Sequence, residues 1–153
     1  MLHYIADRNC EQDWTYYDRS CYFRDENRKT FSAAQANREL RQANLVTVKD
    51  INEQKFLSTF MGDHGGWNVL NSQNDTNVFE WISGEKVNFT YWRTGQPDSN
   101  YQCVHMYHNE QHKWQTKKCS IAQRSICEKG LFRFFVAFIL LVENKIQSNN
   151  LHR

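Results

Sequence analysis

The chain has 153 residues, of which 14% are aromatic and 24% are charged, and its formal net charge at pH 7 is +2. This length is enough for one domain with a hydrophobic core of ordinary size. The basic residues are scattered and form no stripe with aromatic residues, so the composition argues against nucleic acid as the partner.

Five cysteines in an aromatic-rich chain of this size indicate an oxidising compartment. Two N-glycosylation sequons, which begin at Asn74 and Asn88, predict a secreted or extracellular glycoprotein. Residues 1–9 lack the apolar core of a signal peptide. We interpret them as the remnant of a leader, and the chain as an ectodomain fragment or an incomplete gene model. The alternative is a cytosolic protein with free thiols.

The first predicted element is a β-hairpin. Aromatic and polar residues alternate over residues 10–23, around a turn at 18–20. Cys10 and Cys21 are placed so that they can link the strands of this hairpin.

Two helices with a short strand between them follow. The alanine-rich segment 31–41 predicts a helix with Thr30 as its N-cap. Residues 45–48 are typical of a short strand. Asp50 and Glu53 have the spacing of a capping box, which predicts that a second helix begins there.

Short strands and long loops occupy the rest of the domain, and together with the early helices they predict an α+β fold. A long irregular stretch ends near Gln102 and contains the Gln96-Pro97-Asp98 turn, and a long loop in a small domain is usually functional. The predicted strands cover residues 67–70, 79–82, 103–107 and 124–127.

The segment 130–153 has a different composition from the domain. Its apolar run, Leu131–Val142, is interrupted by Arg133 and is shorter than the roughly 20 residues that a membrane-spanning helix needs. We therefore expect no membrane span. The segment either docks on the domain as a strand or helix, or is a non-native read-through tail.

Several motifs occur in the order that is typical of one family. They are Cys10 with Cys21, Phe31-x-x-Ala34 followed by Leu45, Trp67-Asn68-Val69-Leu70, Trp81-Ile82-Ser83-Gly84, Tyr91-Trp92, and the closing Cys103, Cys119 and Cys127. Over residues 10–129 the chain resembles the long form of the C-type lectin-like domain. The resemblance implies a disulfide-stapled α+β fold with two helices, an antiparallel sheet and a long binding loop.

The resemblance also implies how the cysteines pair. Cys10 is expected to bond Cys21, and Cys103 is expected to bond Cys119. The family has a further cysteine in the first helix, where this chain has Arg38. Cys127 is therefore left unpaired. Its thiol is either buried and inert, or it links two chains as a disulfide dimer.

The Gln96-Pro97-Asp98 sequence resembles the form that the family usually associates with galactose-type ligands and a calcium ion. Gln96 and Asp98 would hold the metal and the sugar, helped by Tyr101, Gln115 and Thr116. These last three stand where the family has a glutamate and an Asn-Asp pair. Calcium prefers six to eight oxygen ligands, several of them charged, so one carboxylate predicts weak or lost calcium binding. The alternative is that the segment is only a loop-shaping turn.

Other constellations predict little chemistry. His105, His108 and His112 are close in sequence, but spacings of three and four on a strand and loop do not place them on one face, which argues against zinc. Lys117 and Lys118 form a local positive patch, either a solvated loop or a contact for an acidic ligand. No nucleophile elbow or phosphate loop occurs, so we expect no enzyme.

The sequence therefore predicts an extracellular lectin domain that recognises a glycan or glycoprotein, with galactose-type specificity and weak or lost calcium dependence. The first alternative is a calcium-independent module that binds proteins, as receptor-type members of this fold do. A degenerate relative without a ligand is the third possibility.

Overall fold

The computed structural model describes residues 10–72 and 78–131, and over these residues it consists of one sheet and two helices. The leader interpretation of residues 1–9, the Asn74 sequon and nearly all of the 130–153 segment lie outside the described residues. The elements in chain order are β1 (Thr15–Tyr17), β2 (Ser20–Lys29), α1 (Phe31–Leu40), β3 (Asn44–Leu45), α2 (Ile51–Met61), β4 (Gly66–Asn71), β5 (Glu80–Trp81), β6 (Cys103–Met106), β7 (Trp114–Lys117) and β8 (Gln123–Gly130).

The sheet has the strand order β1-β2-β8-β4-β6-β7, with β3 paired to β8 and β5 paired to β4. The predicted α+β class is confirmed. The β4–β8 pair is parallel, whereas the other strand pairs of the described chain are antiparallel. The last strand of the domain therefore lies in the middle of the sheet, between the second strand and the fourth.

Aromatic and aliphatic side chains from both helices and from seven of the strands form the core. Burial of this apolar surface is the main stabilising contribution to the fold. The largest fully buried side chains include Trp67, Trp114, Tyr22, Leu45, Leu57, Met61, Leu70, Met106 and Ile126.

Both helices begin at the predicted caps. The Thr30 hydroxyl accepts a hydrogen bond from the Ala33 amide at 3.3 Å. The Asp50 carboxylate accepts from the amides of Asn52 and Glu53 at 2.8 and 2.9 Å. The Glu53 side chain departs from the capping-box prediction, because it accepts from the Lys49 amide at 2.7 Å and from the Tyr22 hydroxyl at 2.6 Å.

Three strand predictions differ from the structure. The strand predicted at 45–48 is only Asn44–Leu45, and the one predicted at 79–82 is only Glu80–Trp81. Strand β7 was not predicted, since its sequence Trp-Gln-Thr-Lys has a single apolar residue and gives no alternating apolar pattern.

The structure contains disulfides between Cys10 and Cys21 and between Cys103 and Cys119. Cys10 precedes β1, so the first bond ties the chain ahead of the hairpin to β2. Cys127 is a free, fully buried thiol in β8, and burial raises its pKa to about 11. The backbone of Cys127 pairs with Phe23 in β2 on one side and with Leu45 in β3 on the other. A disulfide dimer through Cys127 stays a prediction, and it would require the groups that cover the buried thiol to move aside.

A buried carboxylate links β2 to α1. Asp25 is 2% exposed, and its Oδ2 accepts hydrogen bonds from Lys29 Nζ at 2.8 Å and from Asn37 Nδ2 at 2.7 Å. Oδ1 accepts from the amide of Asn27 at 3.0 Å. Burial alone would raise the pKa of Asp25, but hydrogen bonds from Lys29 and Asn27 and the charge of Lys29 lower it below its ordinary value.

We expect Asp25→Asn to lower the free energy of unfolding at pH 7 by about 2–4 kcal/mol, because the amide cannot pair with Lys29 and leaves buried groups unsatisfied. A lowered folded-state pKa means that the carboxylate stabilises the fold above its ordinary pKa of 3.8, and that this contribution is lost as the pH falls through the folded-state value. Urea denaturation at pH 7 and pH 3 measures both effects.

The matched control for this substitution is Glu26→Gln. Glu26 is the neighbouring carboxylate and is about half exposed, so the loss of its ion pairs with Arg24 and Arg124 should cost less than about 1 kcal/mol. Equal losses in the two variants, or a deficit of Asp25→Asn that does not shrink in acid, would contradict the proposed role of Asp25.

Candidate ligand-binding loop and the adjacent sheet face

The long loop between β5 and β6 is held against strand β7 by backbone hydrogen bonds. The Trp114 amide donates to the Tyr91 carbonyl at 2.7 Å, and the Arg93 amide donates to the Trp114 carbonyl at 2.9 Å. The rings of Trp92 and Trp114 meet edge to face, with centroids 5.7 Å apart. The middle of the loop therefore behaves as an extension of the sheet edge.

Gln96 fixes the turn that follows. Its peptide bond to Pro97 is cis, and its Oε1 atom accepts hydrogen bonds from the amide and the hydroxyl of Thr116, both at 2.9 Å. The amide of Asp98 lies 3.3 Å from the same oxygen and 2.9 Å from the Thr116 hydroxyl. The side-chain oxygen of Gln96 is thus used inside the protein.

Asp98 and Tyr101 are both half-buried at the end of this turn. The Asp98 Oδ1 atom accepts from the Asn100 amide at 2.9 Å and from its side-chain nitrogen at 2.8 Å. The Tyr101 amide donates to the Asp98 carbonyl at 3.1 Å. Four of the five residues that sequence reasoning assigned to the ligand, Gln96, Asp98, Tyr101 and Thr116, therefore lie together, and Thr116 among them is buried.

Gln115, the fifth residue, lies on the other face of β7. Successive side chains of a strand point to opposite faces, so Gln115 and Lys117 face away from Thr116. The Gln115 Oε1 atom accepts from Arg93 at 2.5 Å, and its nitrogen lies 2.7 Å from His105 Nε2. The structure does not bring Gln115 together with the Gln96–Asp98 turn.

Sequence reasoning missed a cluster around Arg93. Besides Gln115, the Arg93 guanidinium pairs with Glu110 at 2.8 Å and lies 4.3 Å from the centre of the Tyr107 ring. Its hydrogen bond and charge lower the pKa of Glu110. Arg93 directly follows the Trp92 motif, but nothing in the sequence connects it to Glu110, because no pattern links the loop to the turn after β6.

The histidines do not form a metal site. Burial lowers the pKa of His105 to about 3 and also lowers that of His112, which lies 3.0 Å from the His64 carbonyl through Nε2. His108 is exposed on the surface. Within residues 10–72 and 78–131, no three His, Cys, Asp or Glu side chains converge to hold a metal ion.

The residues that the resemblance assigns to calcium do not fit the ion. Asp98 contributes one carboxylate, and one oxygen of this carboxylate already accepts hydrogen bonds from Asn100. The Gln96 oxygen already accepts two hydrogen bonds from Thr116. A hard divalent cation needs several more charged oxygens than this arrangement supplies. Asp63, in the loop after α2, lines a separate cavity and does not add a carboxylate to this turn.

The fold and the loop define a disulfide-stapled α+β binding domain. The chain belongs to the C-type lectin family, since the family model described as "Lectin C-type domain" matches residues 27–129. Domains of this family are binding modules and not enzymes, which confirms the expectation from the sequence.

The chain is also similar in sequence and in fold to known proteins. The chain is 33% identical to human C-type mannose receptor 2 over 131 residues and 30% identical to the bovine secretory phospholipase A2 receptor over 128 residues. These alignments cover 82% and 79% of the chain but only 9% of each receptor. The fold is similar to that of a calcium-independent type II antifreeze protein, with a TM-score of 0.76 and 20% identity over 80% of this chain and 95% of that one.

Neither helix of the described chain has the length and apolar character needed to cross a membrane.

We expect Thr116→Val to lower the free energy of unfolding by about 1–2 kcal/mol, because the hydroxyl that joins Gln96 to Asp98 is lost. The same change should speed amide hydrogen exchange at Asp98, which loses the nearer of its two acceptors. Thr94→Val, at an exposed position in the same loop, is the control and should have little effect. If the two variants are equally stable, the Thr116 hydroxyl does not hold the loop.

Proposed function

We propose that the protein is an extracellular recognition domain that binds its ligand without calcium, and that residues 10–129 form this domain. The observation that carries the proposal is the use of the Gln96 side-chain oxygen by Thr116. In this arrangement internal hydrogen bonds hold the turn in its shape, which is the structural task that a bound cation would otherwise perform.

The first ligand class is a glycan, with galactose as the first sugar to test because of the Gln96-Pro97-Asp98 turn. The Asp98 carboxylate accepts hydrogen bonds from sugar hydroxyls, and the half-buried Tyr101 ring packs against the apolar face of the sugar. Gln96 and Thr116 position this pair, whereas Gln115 lies on the opposite face of β7, where it contacts Arg93 and His105. The name of the related mannose receptor is consistent with a carbohydrate ligand.

A protein ligand is the second candidate, and the cluster around Arg93 favours it. Arg93, Tyr107 and Glu110 form an ordered patch of charged and aromatic groups at the surface. Arginine and tyrosine are enriched in protein interfaces and among the residues that dominate their binding energy. The name of the related phospholipase A2 receptor is consistent with a protein ligand.

Calcium should leave the stability of the oxidised protein unchanged. A ligand that binds only the folded state raises stability by mass action, so a calcium site would raise the melting temperature in millimolar calcium relative to a chelator. We expect a difference of less than about 1 °C by differential scanning calorimetry. A reproducible increase of several degrees would overturn the calcium-independent proposal, and equal amounts of magnesium control for ionic strength.

The glycan proposal is tested on a glycan array in the presence of a chelator. We expect Asp98→Ala to weaken sugar binding about tenfold or more, because the carboxylate that accepts the hydroxyl hydrogens is removed. Asp98→Asn keeps an acceptor for the Asn100 amide, so it separates the loss of charge from a change in loop shape. Ser99→Ala is the exposed control. If both Asp98 variants bind the sugar as tightly as the unchanged protein does, the assigned site is contradicted.

A further inference from the structure

A recess lies on the face of the sheet toward which Gln115 and Lys117 point. Its volume is about 290 Å³, and it is surrounded by residues from β2, the loop after α2, β6 and the turn after it, β7 and the start of β8. The residues that matter for its chemistry are Arg28, Asp63, Gly65, His105, Lys117 and Arg124. Neither the Gln96–Asp98 turn nor Tyr101 lines this cavity.

The lining is strongly basic. Three permanent cations, Arg28, Lys117 and Arg124, face one carboxylate, Asp63. Arg124 shares Glu26 with another arginine. Neither Arg28 nor Lys117 has an ion pair with any residue of the described chain. Two cations that are not neutralised and that line the same concave surface attract an anion.

His105 adds a hydrogen-bond donor to the wall of the cavity. Because Gln115 Oε1 accepts from Arg93, the Gln115 nitrogen donates to His105 Nε2 at 2.7 Å. That assignment places the proton of the neutral imidazole on Nδ1. His105 is 2% exposed, and its Nδ1 makes no hydrogen bond within the described chain.

Burial and the charge of Lys117 keep the ring neutral by lowering its pKa. Hydrogen bonding with the Met106 backbone offsets part of this lowering of the His105 pKa. The Nδ1 atom nevertheless has no partner within normal hydrogen-bond distance and angle. A buried N–H without a partner is costly and calls for an acceptor. An unsatisfied donor therefore lies within the wall, near the cations and covered from solvent.

Gly65 lies close to both His105 and Met106. A Cβ atom at this position would lie 3.6 Å from His105 Nδ1 and 2.5 Å from the Met106 carbonyl oxygen. The second distance is far below a normal contact, so a side chain here would displace the strand and narrow the cavity at the imidazole. Glycine thus permits the close approach of the α2–β4 loop to β6.

We propose that this cavity binds the oxyanion of an acidic sugar, a sulfate or phosphate ester, between Arg28, Lys117 and Arg124, with the Nδ1–H of His105 on its inner wall. The inference rests on the proposed glycan function and deepens it, since it names an anionic saccharide as the ligand. Direct contact with Nδ1 requires a small adjustment of the lining, because that atom is covered from solvent.

The test is a titration of the ¹⁵N-labelled full chain with galactose, galactose 6-sulfate and galactose 6-phosphate, followed by NMR. We expect at least one charged sugar to shift the amides of Gly65 and Lys117 and the side-chain signals of His105, and we expect galactose to leave them unshifted. The affinity should fall as salt is raised, because charge attraction is screened.

Matched double variants separate a specific site from general charge. Arg28→Gln with Lys117→Gln should weaken binding of the charged sugar about tenfold or more. Lys55→Gln with Lys86→Gln removes the same charge from exposed positions outside the cavity and should leave the affinity within about twofold. Circular dichroism of each variant verifies that it is folded.

The outcomes distinguish the two proposals. Binding of the sulfated sugar alone, the phosphorylated sugar alone, or both supports the site and identifies the source of the oxyanion. Equal losses in the two double variants, or no shift at Gly65 and Lys117 with either charged sugar, overturn it. If galactose still shifts the Ser99 and Tyr101 amides in that case, the glycan function at Asp98 stands without the anion site. No shift at either location with any sugar is a result against both.

Discussion

The pairing of β2 with β8 is the constraint on which the rest of the domain depends. The two strands run antiparallel from the Ser20–Gly130 pair to the Asp25–Ser125 pair, and β8 also contacts β3 and β4. An early segment and the last segment of the domain therefore occupy the middle of the sheet. The chain between the two strands must leave this pair and return to it. Strands β6 and β7 and the long loop therefore extend outward from the pair on the β4 side.

Hydrogen bonds to the sheet edge, and not apolar packing alone, give the loop its shape. The side-chain oxygen of Gln96 accepts hydrogen bonds from the amide and hydroxyl of Thr116. The backbone of Trp114 forms hydrogen bonds with the loop residues on either side of Trp92. Each such bond contributes on the order of 1 kcal/mol, and several of them in one turn are enough to order it. A cation at Gln96 would have to replace these bonds before it gained any coordination energy.

Local signals in the sequence predicted local structure well. Thr30 and Asp50 lie where their caps begin the helices, and the resemblance supplied the cysteine pairs. The candidate site was harder, because strand β7 gives no apolar alternation. Without that strand nothing showed that Gln115 and Thr116 face opposite ways. The contact of Arg93 with Glu110 depends on how the loop meets a distant turn, which no local pattern encodes.

The arrangement at the two ends of the domain has a mechanical consequence. The Leu131 amide donates a hydrogen bond to the Arg19 carbonyl, and Cys21 of the Cys10–Cys21 disulfide pairs with Lys129. Both ends of the described domain therefore lie at the same end of the β2–β8 pair. Tension applied to the two ends passes through the disulfide into β2 and across to β8. It would unzip that pair one residue at a time, while β7 and its loop, at the far end of the strand order, carry no load.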